Sequence, residues 1–146
     1  MPERTVADGC LFCSIVAGDT PAHFVLDTPT VVAFLDHRPL FKGHALVVPR
    51  LHVETLRDVD GGLRDELFLR VQQVAGAVQD ATGSAGSFVA MNNVVSQSVP
   101  HLHVHAVPRN PKDGLRGFFW PRQRYVDDTD AAGFATAIRV AIETTM

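Results

Sequence analysis

A chain of 146 residues, 46% of them hydrophobic and 20% charged, suits one domain that buries a sizeable core. Its net charge of −3, from 13 basic and 16 acidic residues, excludes the strongly basic surface of a general nucleic-acid binder. No apolar run approaches the roughly 18 residues of a membrane helix, and the N-terminal MPERTVADG has no apolar signal core, so a cytoplasmic protein without nucleic-acid or membrane partners is expected.

The elements follow in chain order. Cys10 and Cys13 form a C-x-x-C, which in a reducing compartment reads as metal ligation or redox chemistry rather than a structural disulfide. Leu11 to Ala17 is a short apolar stretch stopped by Gly18-Asp19, a helix of one or two turns. VVAFLD, Val31 to Asp36, reads as a strand; HRPLFKG is a loop carrying Pro39 and Gly43; ALVVP, Ala45 to Pro49, reads as a second strand paired with the first as a hairpin. The strongest helix signal follows, with Leu63, Leu67, Val71, Val74 and Val78 at three- and four-residue steps, Asp60 as its cap and Gly83 as its stop. Ser87 to Met91 reads as a strand, NNVVSQSVP as a loop, Leu102 to Val107 as a strand, RNPKDGLRG as a loop, and Ala131 to Ile142 as a C-terminal helix. Hairpins with segregated helices give an α+β fold on an antiparallel sheet.

Within HLHVHAVPR three histidines stand at alternate positions, three of the seven in the chain. On a strand, alternate side chains share a face, so His101, His103 and His105 line up while Leu102, Val104 and Ala106 turn to the core. Their Cα atoms are then spaced by roughly 6.5–7 Å, and the outer two by roughly 13 Å. One metal takes two such imidazoles but hardly three, which splits the trio between tasks.

HLHVHAVP resembles the signature of the histidine triad (HIT) family. CLFCSIVAGDTPAHFVLDTPTVVAFLDHRPLFKGHALVVPRLHVETL is similar to the N-terminal half of bacterial members, and NNVVSQSVPHLHVHAVPR to their active-site loop and strand. The resemblance spans about residues 10 to 109. It implies a single HIT domain over 1–146, with a core of about 10–109 and an arm and helix over about 110–146. It also implies a sheet of about five strands with one long and one C-terminal helix, typically in a homodimer. The activity it implies is hydrolysis or transfer at the α-phosphate of nucleoside monophosphate amides, esters or dinucleoside polyphosphates, with a purine nucleotide, adenosine first, as substrate.

By that resemblance His103 is the nucleophile that forms a covalent nucleotidyl-histidine, splitting one hard step into two. His105 bonds the phosphate or helps protonate the leaving group, and His44, in KGHALVVP, supports the array. Ser98 and Gln97, with loop N–H groups, suit an anionic phosphate. Asp36 matches the acid that holds the ribose hydroxyls; Leu11, Phe12, Ile15, Phe34 and Leu46 match the base sandwich; Asn92 matches a polar residue near phosphate and ribose. Three departures stand out: the loop between Asn92 and Gln97 is about two residues short, Ser96 stands where glycine is common, and His37 replaces an apolar residue after the acid and joins the nucleotide-binding set.

Two cysteines and two histidines are the material of a tetrahedral Zn²⁺ site. Zinc-bearing relatives resemble this chain at Cys10, Cys13, His52 and His101, which implies a closed structural zinc; a redox C-x-x-C would want a βαβ context that is absent. Between Arg116 and Tyr125, Phe118, Phe119 and Trp120 interleave with Arg122 and Arg124, either stacking a base and holding phosphates or packing as an arm on the domain or a dimer partner. Two rival functions remain open at this point: a nucleotide-binding regulatory protein with vestigial catalysis, and a zinc hydrolase that uses His101 and His103 as ligands.

Overall fold

The structure, a computed structural model, describes residues 9–116 and 122–145. Its elements are α1 (Leu11–Ala17), β1 (Phe24–Asp27), β2 (Val31–Leu35), β3 (Ala45–Pro49), a 3₁₀ turn (Leu56–Asp58), α2 (Gly61–Thr82), β4 (Gly86–Ala90), β5 (Val104–Arg109) and α3 (Asp128–Thr145). Five antiparallel strands form one sheet in the order β1-β2-β3-β5-β4, the α+β fold expected. The chain divides into two compact units: one up to Asp113, holding the sheet, α1 and α2, and one from Gly114, holding α3. Among the described residues no helix is long and apolar enough to cross a membrane.

The central strands are apolar at every position because both sheet faces are covered. On β2, Val31 and Ala33 join Val47, Leu102, Val104 and Ala106 beneath the α2 stripe of Leu67, Val71, Val74 and Val78. The alternate residues Val32 and Phe34, with Leu46 and Val48 of β3, pack against Phe12, Cys13 and Ile15 of α1. Period-two alternation thus feeds two cores. Burial of each such valine or leucine is worth about 1.5–3 kcal/mol.

The caps are those the chain spells out. The Asp60 carboxylate accepts the Leu63 N–H at 2.9 Å, and Gly83 closes α2 at φ +64°. The Cys10 sulfur accepts the Cys13 N–H at 3.3 Å and so caps α1, closed by Gly18 at φ +84°. Gly43 also has positive φ, +99°, and a Cβ there would lie 2.7 Å from Thr82 Cγ2, so the β2–β3 loop meets the Thr82 side chain on the last turn of α2 with no room for a Cβ.

Three departures from the sequence reading have physical causes. β1 carries no period-two signal because it is an edge strand with Phe24, Val25 and Asp27 exposed. α3 starts three residues earlier than its apolar period, at Asp128, where the Asp127 carboxylate accepts the Asp130 N–H at 2.8 Å. β5 begins at Val104 rather than Leu102, because the Leu102 N–H is given to Val53 O at 2.7 Å and the His101 N–H to Val99 O at 2.8 Å. His101 and His103 therefore stand on the approach to the strand, and only His105 stands on the strand itself.

Candidate active site and metal centre

The β2–β3 loop carries His44 into the interior. Its base is closed by Asp36 N–H to His44 O at 2.9 Å, and its tip by His44 N–H to Phe41 O at 3.0 Å. The buried ring accepts the Leu40 N–H on Nδ1 at 3.1 Å. A backbone N–H can only donate, so Nδ1 holds a lone pair and the proton sits on Nε2. That Nε2–H points at His105 Nδ1, 2.9 Å away, which makes Nδ1 of His105 the acceptor and leaves its proton on Nε2. One backbone amide thus sets the tautomers of two imidazoles in series.

His103 is set by an acceptor instead. Its Nδ1 lies 2.8 Å from the carbonyl of His101, so Nδ1–H donates and Nε2 keeps a free lone pair. His103 and His105 stand side by side with ring centroids 5.1 Å apart, and Phe12 meets the edge of His103 at 4.9 Å. The pair presents one nucleophilic nitrogen and one N–H donor.

Burial pushes all four of these imidazoles toward the neutral form. His105 is lowered from 6.5 to about 4, first by desolvation and then by the charges His103 and His44 would carry, against the pull of Asp36. His103 and His44 are lowered mainly by desolvation; Asp36 opposes the shift in both, and the bond to the His101 carbonyl opposes it in His103. His101 is lowered to about 4, with desolvation first and the bond to Pro49 opposing it. At neutral pH the array is uncharged and its lone pairs are available.

His101 belongs to a different cluster. Its Nε2–H donates to Pro49 O at 2.8 Å, which frees Nδ1. That Nδ1 lies 3.4 Å from Cys10 Sγ, 3.5 Å from Cys13 Sγ and 3.2 Å from His52 Nδ1, while Cys13 Sγ is 3.3 Å from His52 Nδ1. All four donor atoms fall within 4.8 Å of one another, and both cysteines are free and buried. A tetrahedron with metal–nitrogen bonds of about 2.0–2.1 Å and metal–sulfur bonds of about 2.3 Å has edges of roughly 3.3–3.8 Å, so the cluster fits Zn²⁺. Asp36, His44 and His105 also converge, but the proton that Leu40 forces onto His44 Nε2 occupies the lone pair a metal would need. A zinc shared by His101 and His103 is not the arrangement seen, since His101 Nδ1 turns to the cysteines and His103 turns to the cleft.

The cleft beside the imidazole pair has a volume of about 720 Å³. Leu11, Phe12 and Ile15 of α1 and Phe34 and Leu46 of the sheet supply its apolar wall; Asp36, His37, Ser98, His103 and His105 supply its polar end. Phe12 and Phe34 meet edge to face at 5.5 Å. Asp36 Oδ1 accepts the Arg38 N–H at 2.9 Å, the turn-forming bond of a residue after a strand, and Oδ2 lies 3.7 Å from His44 Nε2. The carboxylate retains acceptor sites for a ligand. Thr20, Pro21, Ala22 and His23, with Leu35 and Val99, line the cleft as well and were not foreseen; the first four sit on the irregular α1–β1 connection, where no periodicity marks them.

Asn92 and Gln97 are placed differently from expectation. Neither lines the cleft. Asn92 Nδ2 donates to Ser96 O at 3.2 Å; Gln97 Nε2 donates to Glu54 O at 2.6 Å while its Oε1 accepts the Val94 N–H at 3.0 Å. The Gln97 amide is engaged at both ends, and the Asn92 Nδ2 braces the loop as well. Ser96, at the glycine-like position, has φ +61°, so the shortened loop keeps the conformation glycine would favour without having the glycine. Phe118, Phe119 and Trp120 lie outside the described residues.

The profile of the HIT domain family matches residues 17–112. A Schizosaccharomyces pombe protein named adenosine 5'-monophosphoramidase is 35% identical over 114 residues, 77% of this chain and 83% of its own. The crystal structure of a HIT family member from Bacillus subtilis superposes with a TM-score of 0.84 at 32% identity, covering 90% of this chain and 96% of that one. A Zn-bound histidine triad family protein from Mycobacterium smegmatis superposes at 0.69 with 28% identity, covering 94% and 98%.

Proposed function

The chain belongs to the HIT family, and from that premise we propose that it is a nucleotide hydrolase that cleaves the bond between the α-phosphorus of a nucleoside 5′-monophosphate and an amine through a covalent nucleotidyl-His103. The observation that carries this reading is the fixed tautomer of His103: Nδ1–H on the His101 carbonyl, Nε2 bare, the ring beside a cleft of nucleotide size. The fission-yeast relative, an adenosine 5'-monophosphoramidase by name, supports the amide over other leaving groups.

The base lies against Phe12, Ile15, Phe34 and Leu46, and Asp36 receives the ribose hydroxyls. His105 Nε2–H and the Ser98 hydroxyl donate to the α-phosphate oxygens and stabilise charge that grows on them. His103 Nε2 attacks phosphorus and the P–N bond breaks. Because His44 holds His105 as a neutral donor, the leaving nitrogen takes its proton from solvent before the bond breaks and departs as the free amine. Phosphorylated His103 is then an imidazolium that still donates through Nδ1–H to the His101 carbonyl. Water adds to phosphorus, the P–Nε2 bond breaks, neutral His103 is restored, and the nucleoside monophosphate and one proton are released.

Cys10, Cys13, His52 and His101 would hold a structural Zn²⁺, a crosslink between α1, the segment after β3 and the approach to β5. It supplies no chemistry to the step. The homodimer belongs to the same proposal, and sedimentation equilibrium tests it.

The test is single-turnover reaction with an adenylate amide labelled at the α-phosphate. A labelled, acid-labile protein adduct is expected, and His103→Ala should lose it together with at least about 10³-fold in turnover while still binding AMP. AMP binding with no adduct and no turnover in the parent would instead favour a nucleotide-binding regulatory protein. Turnover by His103→Ala at the parent rate would remove His103 from the reaction.

A further inference from the structure

The metal centre and the cleft share a stretch of chain. The two residues between the cysteines are Leu11 and Phe12, and both line the cleft. Phe12 is buried; its ring stands edge to face with His103 at 4.9 Å, with His101 at 6.0 Å and with Phe34 at 5.5 Å. The helix that carries both residues, α1, has seven residues, well short of the roughly 12–15 at which a helix begins to hold itself in water. Its first turn has no acidic residue, and its cap is the Cys10 sulfur. The atom that starts this helix is thus one of the four that converge on the metal centre.

The nucleophile is tied to the same centre through His101. That residue is fully buried, and each of its polar groups is engaged. The N–H goes to Val99 O at 2.8 Å, the Nε2–H goes to Pro49 O at 2.8 Å, and Nδ1 faces the cysteine sulfurs. Its carbonyl accepts the His103 Nδ1–H at 2.8 Å. One residue is therefore a metal ligand by its ring and the clamp on the His103 tautomer by its backbone. Of the segments that supply the four ligands, α1 carries the base wall and the approach to β5 carries the nucleophile; His52 does not line the cleft.

We propose that zinc and nucleotide bind this chain cooperatively. Cys10, Cys13 and His101 are positioning residues. Drawn onto one metal ion, they fix Leu11 and Phe12 against the base and the His101 carbonyl against His103. This coupling rests on the nucleotide reading of the cleft given above, and it gives the centre control of affinity in addition to its role as a crosslink. Such coupling is reciprocal: the factor by which zinc tightens nucleotide binding is the factor by which nucleotide tightens zinc binding. Occupancy of the cleft then follows the zinc available to the protein.

The experiment titrates AMP calorimetrically into zinc-loaded and metal-stripped protein, at a temperature where circular dichroism shows both folded. The loaded protein should bind AMP about tenfold more tightly, and saturating AMP should raise zinc affinity, measured against a chromophoric chelator, by the same factor. A centre that only stabilises the fold would move Tm and leave both affinities of the folded protein unchanged. A second arm uses protein loaded with Co²⁺, whose thiolate absorption bands report ligand geometry without any need for a folded stripped form. AMP should shift those bands, with saturation at the calorimetric Kd. Equal AMP affinity with and without zinc, or cobalt bands unmoved by saturating AMP, overturns the coupling and leaves the nucleotide reading standing. Loaded protein that does not bind AMP overturns the nucleotide reading, and the coupling with it.

Discussion

Replacing Gly43 by alanine tests how the fold positions the imidazole array. Gly43 stands at φ +99°, where an L side chain costs about 1–2 kcal/mol, and its new Cβ would lie 2.7 Å from Thr82 Cγ2. Ordinary contact begins at 3.4 Å, so the two must separate by 3.4 − 2.7 = 0.7 Å. Thr82 has little room to give: it is β-branched, and its hydroxyl is bound to Val78 O at 2.7 Å and to Ser84 Oγ at 2.6 Å. Overpacking of this kind costs about 1–3 kcal/mol, and the stiffer unfolded chain returns about 0.4–1 kcal/mol. The expected loss is about 2–4 kcal/mol, or about 8–16 °C in Tm for a unit of this size. Thr82→Ser removes Cγ2 and keeps the hydroxyl, so in the double variant it should recover the share due to the clash, about 1–3 kcal/mol, and leave the share due to φ. Because Gly43 precedes His44, kcat/KM on an adenylate amide should fall by tenfold or more and recover in part with the double variant. Calorimetric melting of the four proteins in the cycle reads this out. A Gly43→Ala Tm within 2 °C of the parent, or strictly additive changes in the cycle, would refute the account of this contact.

Three further outcomes are expected. Protein purified without chelators should carry one Zn²⁺ per chain, and stripping it should lower Tm by roughly 15 °C at free zinc about a thousandfold above Kd; absence of metal with an unchanged melt after chelation would refute the site. Stability should fall as pH drops from 6.5 toward 4: His44, His103, His105 and, without metal, His101 are all lowered in the folded protein, His105 and His101 to about 4, so in that window the unfolded chain binds more protons, and the stabilisation is fully present above 6.5. His105→Gln should reduce that slope by the His105 share in urea titrations while the other imidazoles keep the rest, and an unchanged slope would show that His105 contributes nothing to it. Calorimetric titration should give tenfold to hundredfold tighter binding of AMP than of 2′-deoxy-AMP, from a hydrogen bond to a charged acceptor worth about 1.5–3 kcal/mol, with the gap shrinking in Asp36→Asn; equal affinities would return Asp36 to its turn-forming bond with Arg38 alone.

Much of this molecule is legible along the chain because burial is periodic. The stripe Leu67, Val71, Val74, Val78 on α2 and the unbroken apolar runs of β2 and β3 announce how many faces each element buries. The paired signals C-x-x-C and H-x-H-x-H name the chemistry, since few other uses collect those side chains at that spacing. The edge strand β1 escaped because an exposed strand has no pattern to show. The family resemblance already divided the three histidines between zinc and phosphate; only the tertiary structure shows what turns them apart. Alternation along a strand put them on one face, yet the start of β5 at Val104 and the carbonyl of Pro49 turn His101 to cysteines 91 and 88 positions away, leaving the other two at the cleft. The tautomers are of the same kind: Leu40 N–H and the His101 carbonyl decide which nitrogens hold protons, and backbone groups have no letter in the sequence. Gln97, which by type suits a phosphate, became a loop brace because Glu54 O lies 2.6 Å from it in the folded chain. A residue's type limits the bonds it can make; which bond it makes is decided by the partner that folding brings within 3 Å.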